Sequence, residues 1–473
     1  MLRRLRHYIS RWSLLLLLTE FSTAILSFYL GVGARFMGFE RPFDDVHEDM
    51  LLPRAIFFAI VIVVGMTATA RYQQLMEDDF IGESLRVGLS FLISSVALGL
   101  FFYVFPALFI GRGAFALALF FSFVLFLVIR KIFLLYILDL NLLKRRVVVF
   151  GTGENACLVS NLSLKVHNDF EVVGYWPVPG EKRHIQFTDI CHDEEDFVAW
   201  ARSMQVDEIV LALDGPFPTL FMKDILDCKA EGVSVVDLPT FFERESYLIN
   251  MDILEPEWWI HHSHGIDQGR GEEFFKKIFD VTLSLILLGA TFPLMLLTAL
   301  AILIESRGQG PVFYVQERVG YNGRVFSVMK FRSMRTDAEK DGVPRWAQRN
   351  DNRITFVGNF IRKTRLDELP QFFNVLRGEM SLIGPRPERP QFVEILRNKI
   401  PYYSERLRVK PGITGWAQVR YGYGASEDDA AEKLKYDLYY VKNHGIFLDL
   451  LVLIHSVEVV LFGSGATGPR EEL

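Results

Sequence analysis

Residues 362–388 read RKTRLDELPQFFNVLRGEMSLIGPRPE. An adjacent acid pair, Asp367 and Glu368, sits among Arg362, Lys363 and Arg365 and ahead of a rigid Pro385-Arg386-Pro387 turn. Acids and bases mixed beside a Gly/Pro turn are not core material; they fit a place where a metal and a phosphate meet. The carboxylate oxygens of Asp367 and Glu368 suit a hard divalent ion, Mg²⁺ in kind. A carboxylate can also attack phosphorus and form an acyl-phosphate, splitting one displacement into two. Arginines and a metal would neutralise the oxygens of the transferring group. The pattern points to phosphoryl or phospho-sugar transfer. Two acids that merely cap a helix are the competing explanation. It weakens because Arg362 and Arg365 lie close by and Arg386 follows in a stiff turn.

The elements that would position these groups can be read from spacing. Leu366, Leu369, Phe373 and Leu376 recur at helical intervals, and Gly378 suits a C-terminal cap. Pro370 is tolerated only in a first turn, where backbone N–H groups lack partners anyway. Asp367 and Glu368 are therefore expected at or just before a helix N-terminus, where the dipole favours negative charge. Adjacent helical residues do not share a face, so the pair is read as two roles. Upstream, 309–314 and 324–330 read as short strands around the turn Gly320-Tyr321-Asn322-Gly323. Lys330, Arg332 and Arg335 are expected either to face the acid pair as an anion clamp or to form a solvated strand edge. Residues 337–351 are polar and read as a loop.

Half of the 473 residues are hydrophobic, 41 of them Phe, and mean hydropathy is +0.21. That is too apolar for an ordinary soluble enzyme and implies membrane segments in a chain of more than one domain. A net charge of −6 argues against nucleic acid as a partner. Cys157, Cys191 and Cys228 show no CxxC spacing and read as reduced core residues of a cytoplasmic domain. The run 13–33 is too long for a signal peptide.

Four apolar runs, 14–33, 53–70, 87–110 and 114–129, approach the roughly 20 residues a spanning helix needs. Arg3, Arg4, Arg6 and Arg11 place the N-terminus inside, and the acidic segment 40–49 outside. Residues 1–145 are thus read as a four-helix transmembrane region. Residues 146–265 follow as a small doubly wound α/β unit. Its first strand, Arg146-Val147-Val148-Val149-Phe150, runs into the GxGxxA turn of residues 151–156. Further strands are expected at 171–176, 208–213 and 232–237. The second strand ends Gly174-Tyr175-Trp176-Pro177, with no acid to grip a ribose, so a Rossmann-like module without a ligand competes with a nucleotide site. His261, His262 and His264 read as an exposed linker rather than a metal site.

Residues 281–304 are long enough to span, yet both flanks are basic and Pro293 interrupts the middle. A re-entrant helix over 279–305, entering and leaving on one face, satisfies both facts better than a fifth span. The segment 446–462 is apolar but carries Asp449, His455 and Glu458, and reads as a helix lying on the membrane.

Six strings in fixed order carry a resemblance: KKIFD from Lys276, PVFYVQERVG from Pro311, KFRSM from Lys330, LDELPQ from Leu366, GPRP from Gly384 and KPGITGWAQV from Lys410. They resemble the bacterial sugar transferase family, the polyprenyl-phosphate glycosyl-1-phosphate transferases. Four membrane helices plus a Rossmann-like module are similar to that family's long form. The resemblance implies a multidomain membrane protein: a four-helix transmembrane bundle, an α/β Rossmann-like domain, and a mainly α catalytic domain over 266–473. It implies that Asp367 attacks a UDP-sugar and releases UMP, with Glu368 and Asp367 holding Mg²⁺. Arg362 and Lys330 would contact phosphates, and Arg386, between Pro385 and Pro387, would seat the nucleotide. Arg365, Arg332 and Gln418 join the substrate-binding set. Undecaprenyl phosphate would accept the phospho-sugar at the cytoplasmic face of a bacterial inner membrane, the first membrane step of exopolysaccharide assembly. Membrane lipid is a further partner, and a homodimer stays open. The chain departs from the family in carrying Phe292, where Ser often precedes the helix-breaking proline.

Two other readings compete. A membrane nucleotide-sugar epimerase or dehydratase would need a Tyr-x-x-x-Lys pair, and none of the 16 tyrosines has Lys four residues on. A nucleotide-sensing scaffold would need residues 151–156 but not Asp367.

Overall fold

The computed structural model describes residues 11–36, 50–69, 80–133, 144–164, 170–186, 196–254, 258, 270–336, 338, 353–422, 424 and 426–462. Arg3, Arg4, Arg6, the segment 40–49, Cys191, the three histidines at 261–264 and nearly all of 337–351 lie outside them. Contacts divide the chain into two compact units, Met1–Glu245 and Ser246–Leu473.

The first unit opens with helices α1 (Arg11–Phe36), α2 (Leu51–Thr69), α3 (Phe80–Val104) and α4 (Arg112–Ile132). Each of the four expected apolar runs carries a helix; the third helix ends at Val104, short of residue 110, and residue 70 lies outside the described residues. By length and composition, 14–36 and 112–132 could cross a membrane; the apolar parts of α2 and α3 are shorter. The helices pack through aromatic residues, with Phe28 against Phe58 and Phe91 edge-on to Phe126. Leu18, Leu26, Leu92 and Leu100 point outward. Apolar side chains on the outside and polar ones inside invert the usual soluble pattern. The clearest polar member is Glu20 on α1, whose Oε1 lies 2.6 Å from Arg130 Nε on α4, both fully buried. An ion pair this deep holds only because each charge has its partner.

Next comes a four-stranded parallel sheet, β1 (Arg145–Phe150), β2 (Phe170–Trp176), β3 (Glu208–Leu211) and β4 (Ser234–Asp237), in the order β2-β1-β3-β4. Helices α5 (Glu154–Ser163), α6 (Phe197–Ser203), α7 (Met222–Ala230) and α8 (Leu238–Ser246) complete the doubly wound pattern. Val147, Val148, Val149 and Phe150 are all fully buried, as a central parallel strand requires. Each expected strand is present: β1 and β2 start one residue earlier than expected, β3 ends two residues sooner and β4 starts two residues later. Cys228 is buried and Cys157 half-buried, both as free thiols.

The second unit is built on α9 (Arg270–Glu305), one helix with Pro293 inside it. At 36 residues it is about 54 Å long. Near the proline, the Thr291 hydroxyl donates to the Leu287 carbonyl at 2.7 Å. Met295 and Ile302 on α9 pack with Phe331 and Ile361, while Leu296, Leu297, Leu300 and Ile304 are exposed. One side of the helix thus carries the domain and the other is greasy and uncovered. Strands β5 (Phe313–Val319) and β6 (Val325–Phe331) form an antiparallel hairpin around the expected turn; β6 lies where expected, whereas β5 starts four residues later than the expected 309–314 and runs on to Val319.

Helices α10 (Phe356–Lys363) and α11 (Gln371–Leu376) flank the acid pair. Strand β7 (Ser381–Ile383), α12 (Pro390–Lys399), β8 (Gly412–Thr414), α13 (Trp416–Arg420), α14 (Glu427–Asn443) and α15 (Ile446–Phe462) complete the unit. Residues just after Ser246 pack on it: Trp416 Nε1 donates to the Tyr247 carbonyl and Ile249 N to that of Lys435. Asp449, which marked α15 as polar in the sequence, is fully buried. Lys276 Nζ and the Tyr440 hydroxyl each donate to it at 2.7 Å, joining α9, α14 and α15 beneath β7.

Candidate active site

Arg365 adopts a left-handed conformation, φ 59°, and breaks the chain after α10. Residues Leu366–Glu368 then form one 3₁₀ turn, and Pro370 caps α11 at its N-terminus. Asp367 and Glu368 thus stand where the proline spacing placed them. Gly378 follows the end of α11 at φ 79° and donates to the Val375 carbonyl, the C-terminal stop its sequence position implied. Both acids are largely buried. They also diverge. Glu368 Oε1 receives Lys330 Nζ at 2.8 Å and Arg386 Nη2 at 2.7 Å. Among the described residues, no hydrogen bond reaches the Asp367 carboxylate, which lines a cavity of about 640 Å³.

The electrostatics follow from that difference. Burial pushes Asp367 up to about 6, with the Glu368 charge adding to it; Lys330, Arg386 and Arg362 pull the other way. Burial would raise Glu368 too. There Arg386 and Lys330 win and hold it well below the usual carboxylate range. Burial lowers Lys330, while the charge of Glu368 raises Arg386. The pair is therefore one fixed carboxylate in an ion triad and one poised carboxylate with its oxygens uncommitted.

Two sequence-distant strings meet to hold Arg386. Strands β7 and β8 pair in parallel, Ser381 to Gly412 and Ile383 to Thr414. Gly384 N donates to the Thr414 carbonyl at 2.9 Å and Gly412 N to that of Pro385 at 3.0 Å. A Cβ at Gly384 would run into the Lys410–Gly412 backbone, and one at Gly412 into Gly384. Only glycines let the two segments approach this closely. Arg406 then fixes the turn itself, donating from Nη2 to the Arg386 carbonyl at 2.9 Å and to Asp437 Oδ2 at 2.7 Å. Arg406 and Asp437 are both buried. On the other side, Asn374 of α11 accepts from Met329 N at 3.0 Å and donates to the Ser327 carbonyl at 2.7 Å, locking β6 and so Lys330. Asn374, Arg406 and Asp437 were not singled out in the sequence. A polar residue inside an apolar helical stripe was the signal available for Asn374.

The other expected residues divide. Arg362, Arg365, Arg332 and Gln418 all line the same cavity. Arg332 is also tied to the Gln309 carbonyl, 3.0 Å from Nη1, beside the 308–310 turn. Gln418 Nε2 donates to the Ile413 carbonyl at 3.3 Å, and among the described residues its buried Oε1 has no partner. Pro385 stiffens the turn and supplies the carbonyl that β8 uses. Pro387 lies on its far side, and neither offers a donor. Arg318, also at the cavity, is lowered to about 10 by burial, with Glu388 3.7 Å from it. Cations outnumber acids here, which suits an anionic ligand.

A divalent ion fits the donor set. Asp367 and the second oxygen of Glu368 remain for coordination, and two protein ligands suit an Mg²⁺ that keeps water and phosphate oxygens as its other ligands. Among the described residues, no group of three or more His, Cys, Asp or Glu forms a closed metal cage.

Residues 271–463 match the family profile described as Bacterial sugar transferase, and 57–215 match one described as CoA-binding domain. The chain is 48% identical over 193 residues to the UDP-N-acetylgalactosamine-undecaprenyl-phosphate N-acetylgalactosaminephosphotransferase of Aeromonas hydrophila, covering 41% of this chain and 45% of that one. It is 34% identical over 336 residues to the undecaprenyl-phosphate glucose phosphotransferase of Komagataeibacter xylinus, covering 68% and 60%. It is 31% identical over 349 residues to the undecaprenyl-phosphate galactose phosphotransferase of Salmonella typhimurium, covering 69% and 70%. The first two matches thus span 45% and 60% of those relatives' lengths. A family profile matching residues 271–463, with 31% identity spanning 70% of the Salmonella typhimurium transferase, places this protein in the bacterial sugar transferase family.

Proposed function

We propose that the protein transfers a hexose 1-phosphate from a UDP-sugar to undecaprenyl phosphate through a phospho-sugar aspartate. One observation carries this reading: Asp367 is uncommitted at the cavity while its neighbour Glu368 is pinned by Lys330 and Arg386. An Asp367 oxygen attacks the sugar-bearing phosphorus, the bond to the bridging oxygen breaks, and UMP leaves. An oxygen of the lipid phosphate then attacks the same phosphorus. The P–O bond to Asp367 breaks, its carboxylate is restored, and a lipid diphosphate-sugar departs.

Lys330, Arg386 and Arg362 hold charge toward the phosphoryl oxygens, and burial keeps water from competing. Mg²⁺ held by Asp367 and Glu368 would supply further neutralisation of that charge. The names of the relatives support the acceptor, and they differ in the sugar they state. For the membrane, we propose four spanning helices, a re-entrant α9 and an interfacial α15. The acid pair then stands on the cytoplasmic side, where nucleotide sugars are found. The absence of a Tyr-x-x-x-Lys pair counts against the epimerase alternative.

The test is a membrane assay with UDP-glucose, UDP-galactose and their N-acetyl forms, with and without undecaprenyl phosphate. Lipid-linked sugar and UMP in equal amounts from one donor are expected. No lipid product from any of them would overturn the assignment.

A further inference from the structure

The Rossmann-like module keeps the first half of a nucleotide fingerprint, and the proposed reaction does not use it. In such a module, the turn amides and the following helix N-terminus point at a pyrophosphate. Here those amides are occupied. Thr152 N donates to Glu181 Oε2 at 2.9 Å. Glu154 N donates to Asp214 Oδ2 at 2.8 Å and Asn155 N to Asp214 Oδ1 at 2.9 Å. The two residues are linked in turn, because the Asp214 backbone N donates to Glu181 Oε1 at 3.0 Å.

We propose that this glycine turn is an anion site the chain fills itself, with Glu181 and Asp214 standing where two phosphates would, and that it excludes nucleotides. The glycines obey the same rule they would obey for a ligand. A Cβ at Gly153 would land on the Asp214 carboxylate, so the residue is needed for a close approach by an anion, here an internal one. At Gly151, φ is 129° and a Cβ would meet the Ala212 carbonyl. Glu181 is delivered by the segment after β2 and secured there, since His184 N donates to the Thr152 carbonyl at 2.8 Å. Asp214 comes from the end of β3, and Asn155 Nδ2 reaches back to the Leu213 carbonyl at 2.6 Å. An incoming pyrophosphate would have to displace both carboxylates and overcome their charge. The likeness to a CoA-binding profile is then a likeness of fold. The carboxylates cross-link β1, β3, α5 and the segment after β2, a structural use of an old binding geometry.

Backbone amide hydrogen exchange on the full-length protein tests this without reference to its activity. The probes are CoA, NAD⁺ and inorganic pyrophosphate at millimolar concentration. Peptides covering 150–157 should exchange slowly without ligand and show no change with any probe. Glu181→Ala should speed exchange at Thr152 by about tenfold or more, as expected for one lost charge-assisted hydrogen bond. If that variant fails to fold, Glu181→Gln provides the same comparison more gently. Slowing of the 150–157 peptides by a probe in the unaltered protein would overturn the proposal, because the carboxylates would then be displaceable. Fast exchange there without ligand would overturn it equally.

Discussion

Lys330 Nζ and Arg386 Nη2 converge on a single oxygen of Glu368, at 2.8 and 2.7 Å, and leave neighbouring Asp367 with none. Lys330 comes from a hairpin strand and Arg386 from a turn 56 residues further along the sequence. Two adjacent acids thus receive opposite treatment from one pair of cations. Each prediction below follows from that asymmetry or from the groups that maintain it.

Removing either cation should slow turnover with little change in folding. Lys330→Met and Arg386→Met should each lower kcat by about 10²–10³-fold, the usual effect of losing one charge-stabilising group. Steady-state rates beside a melting curve check this. A loss confined to KM would contradict it.

The first half-reaction should depend on pH with one rising limb near 6. Asp367 is raised to about 6 by burial and then by Glu368, and only its ionised form attacks. The UMP-release rate should rise about tenfold per pH unit below that value and level off above it. Glu368→Gln removes the neighbouring charge and should move the limb toward acid. Lys330→Met removes a compensating charge and should move it toward alkali. Stopped-time UMP release from pH 4.5 to 9 would show either shift.

The poised carboxylate should cost stability. Its folded pKa lies above the unfolded value, so folding disfavours its ionised form. The penalty is present above pH 6 and absent below about 4. Asp367→Asn should therefore raise stability at pH 8 by on the order of 3 kcal/mol, and the gain should vanish toward pH 4. Denaturation at both pH values measures it.

Supporting residues should matter as much as those at the cavity. Asp437→Ala leaves buried Arg406 without its carboxylate, at a cost of about 3–5 kcal/mol, and loosens the Arg386 carbonyl. Asn374→Ala leaves Met329 N unpaired beside Lys330 and should cost about 1–3 kcal/mol. Chemical denaturation of both variants, with rates measured well below the transition, separates stability from turnover.

Chelation of divalent metal should stop turnover while leaving the melting temperature within a few degrees. Asp367 and the free oxygen of Glu368 are the protein ligands on hand, too few to make the metal structural. Activity restored by Mg²⁺ is the expected result. Unfolding on chelation would contradict it.

Much of the site was legible because its signals are local. Pro370 and Gly378 bracket a short helix, so Asp367 and Glu368 could be put at its start from spacing alone. The turn at residues 320–323 and the strand after it were equally plain, whereas the strand before it was placed four residues too early. Pairings between distant segments were not. Nothing in the string KPGITG announces that it clasps GPRP, and nothing near Arg406 says that it holds the Arg386 carbonyl. Asp449 was legible only as a charge in an apolar helix; its enclosure by Lys276 and Tyr440 was not. In the Rossmann-like module, the missing ribose acid was readable, whereas the occupation of the turn by Glu181 was not. Glu181 lies 29 residues from the amide it caps, in a segment without regular pattern.

The central claim is that Asp367 forms a covalent bond to phosphorus. Protein in membranes or detergent is mixed with Mg²⁺ and a UDP-sugar carrying label in its β-phosphate, without lipid acceptor. It is then denatured and its peptides are mapped. The account predicts label on the peptide containing Asp367, one UMP released per label, and neither from Asp367→Asn. Lipid product that forms once undecaprenyl phosphate is added, with no label ever held by the protein, would contradict it. Transfer would then be direct, with Asp367 reduced to a metal ligand.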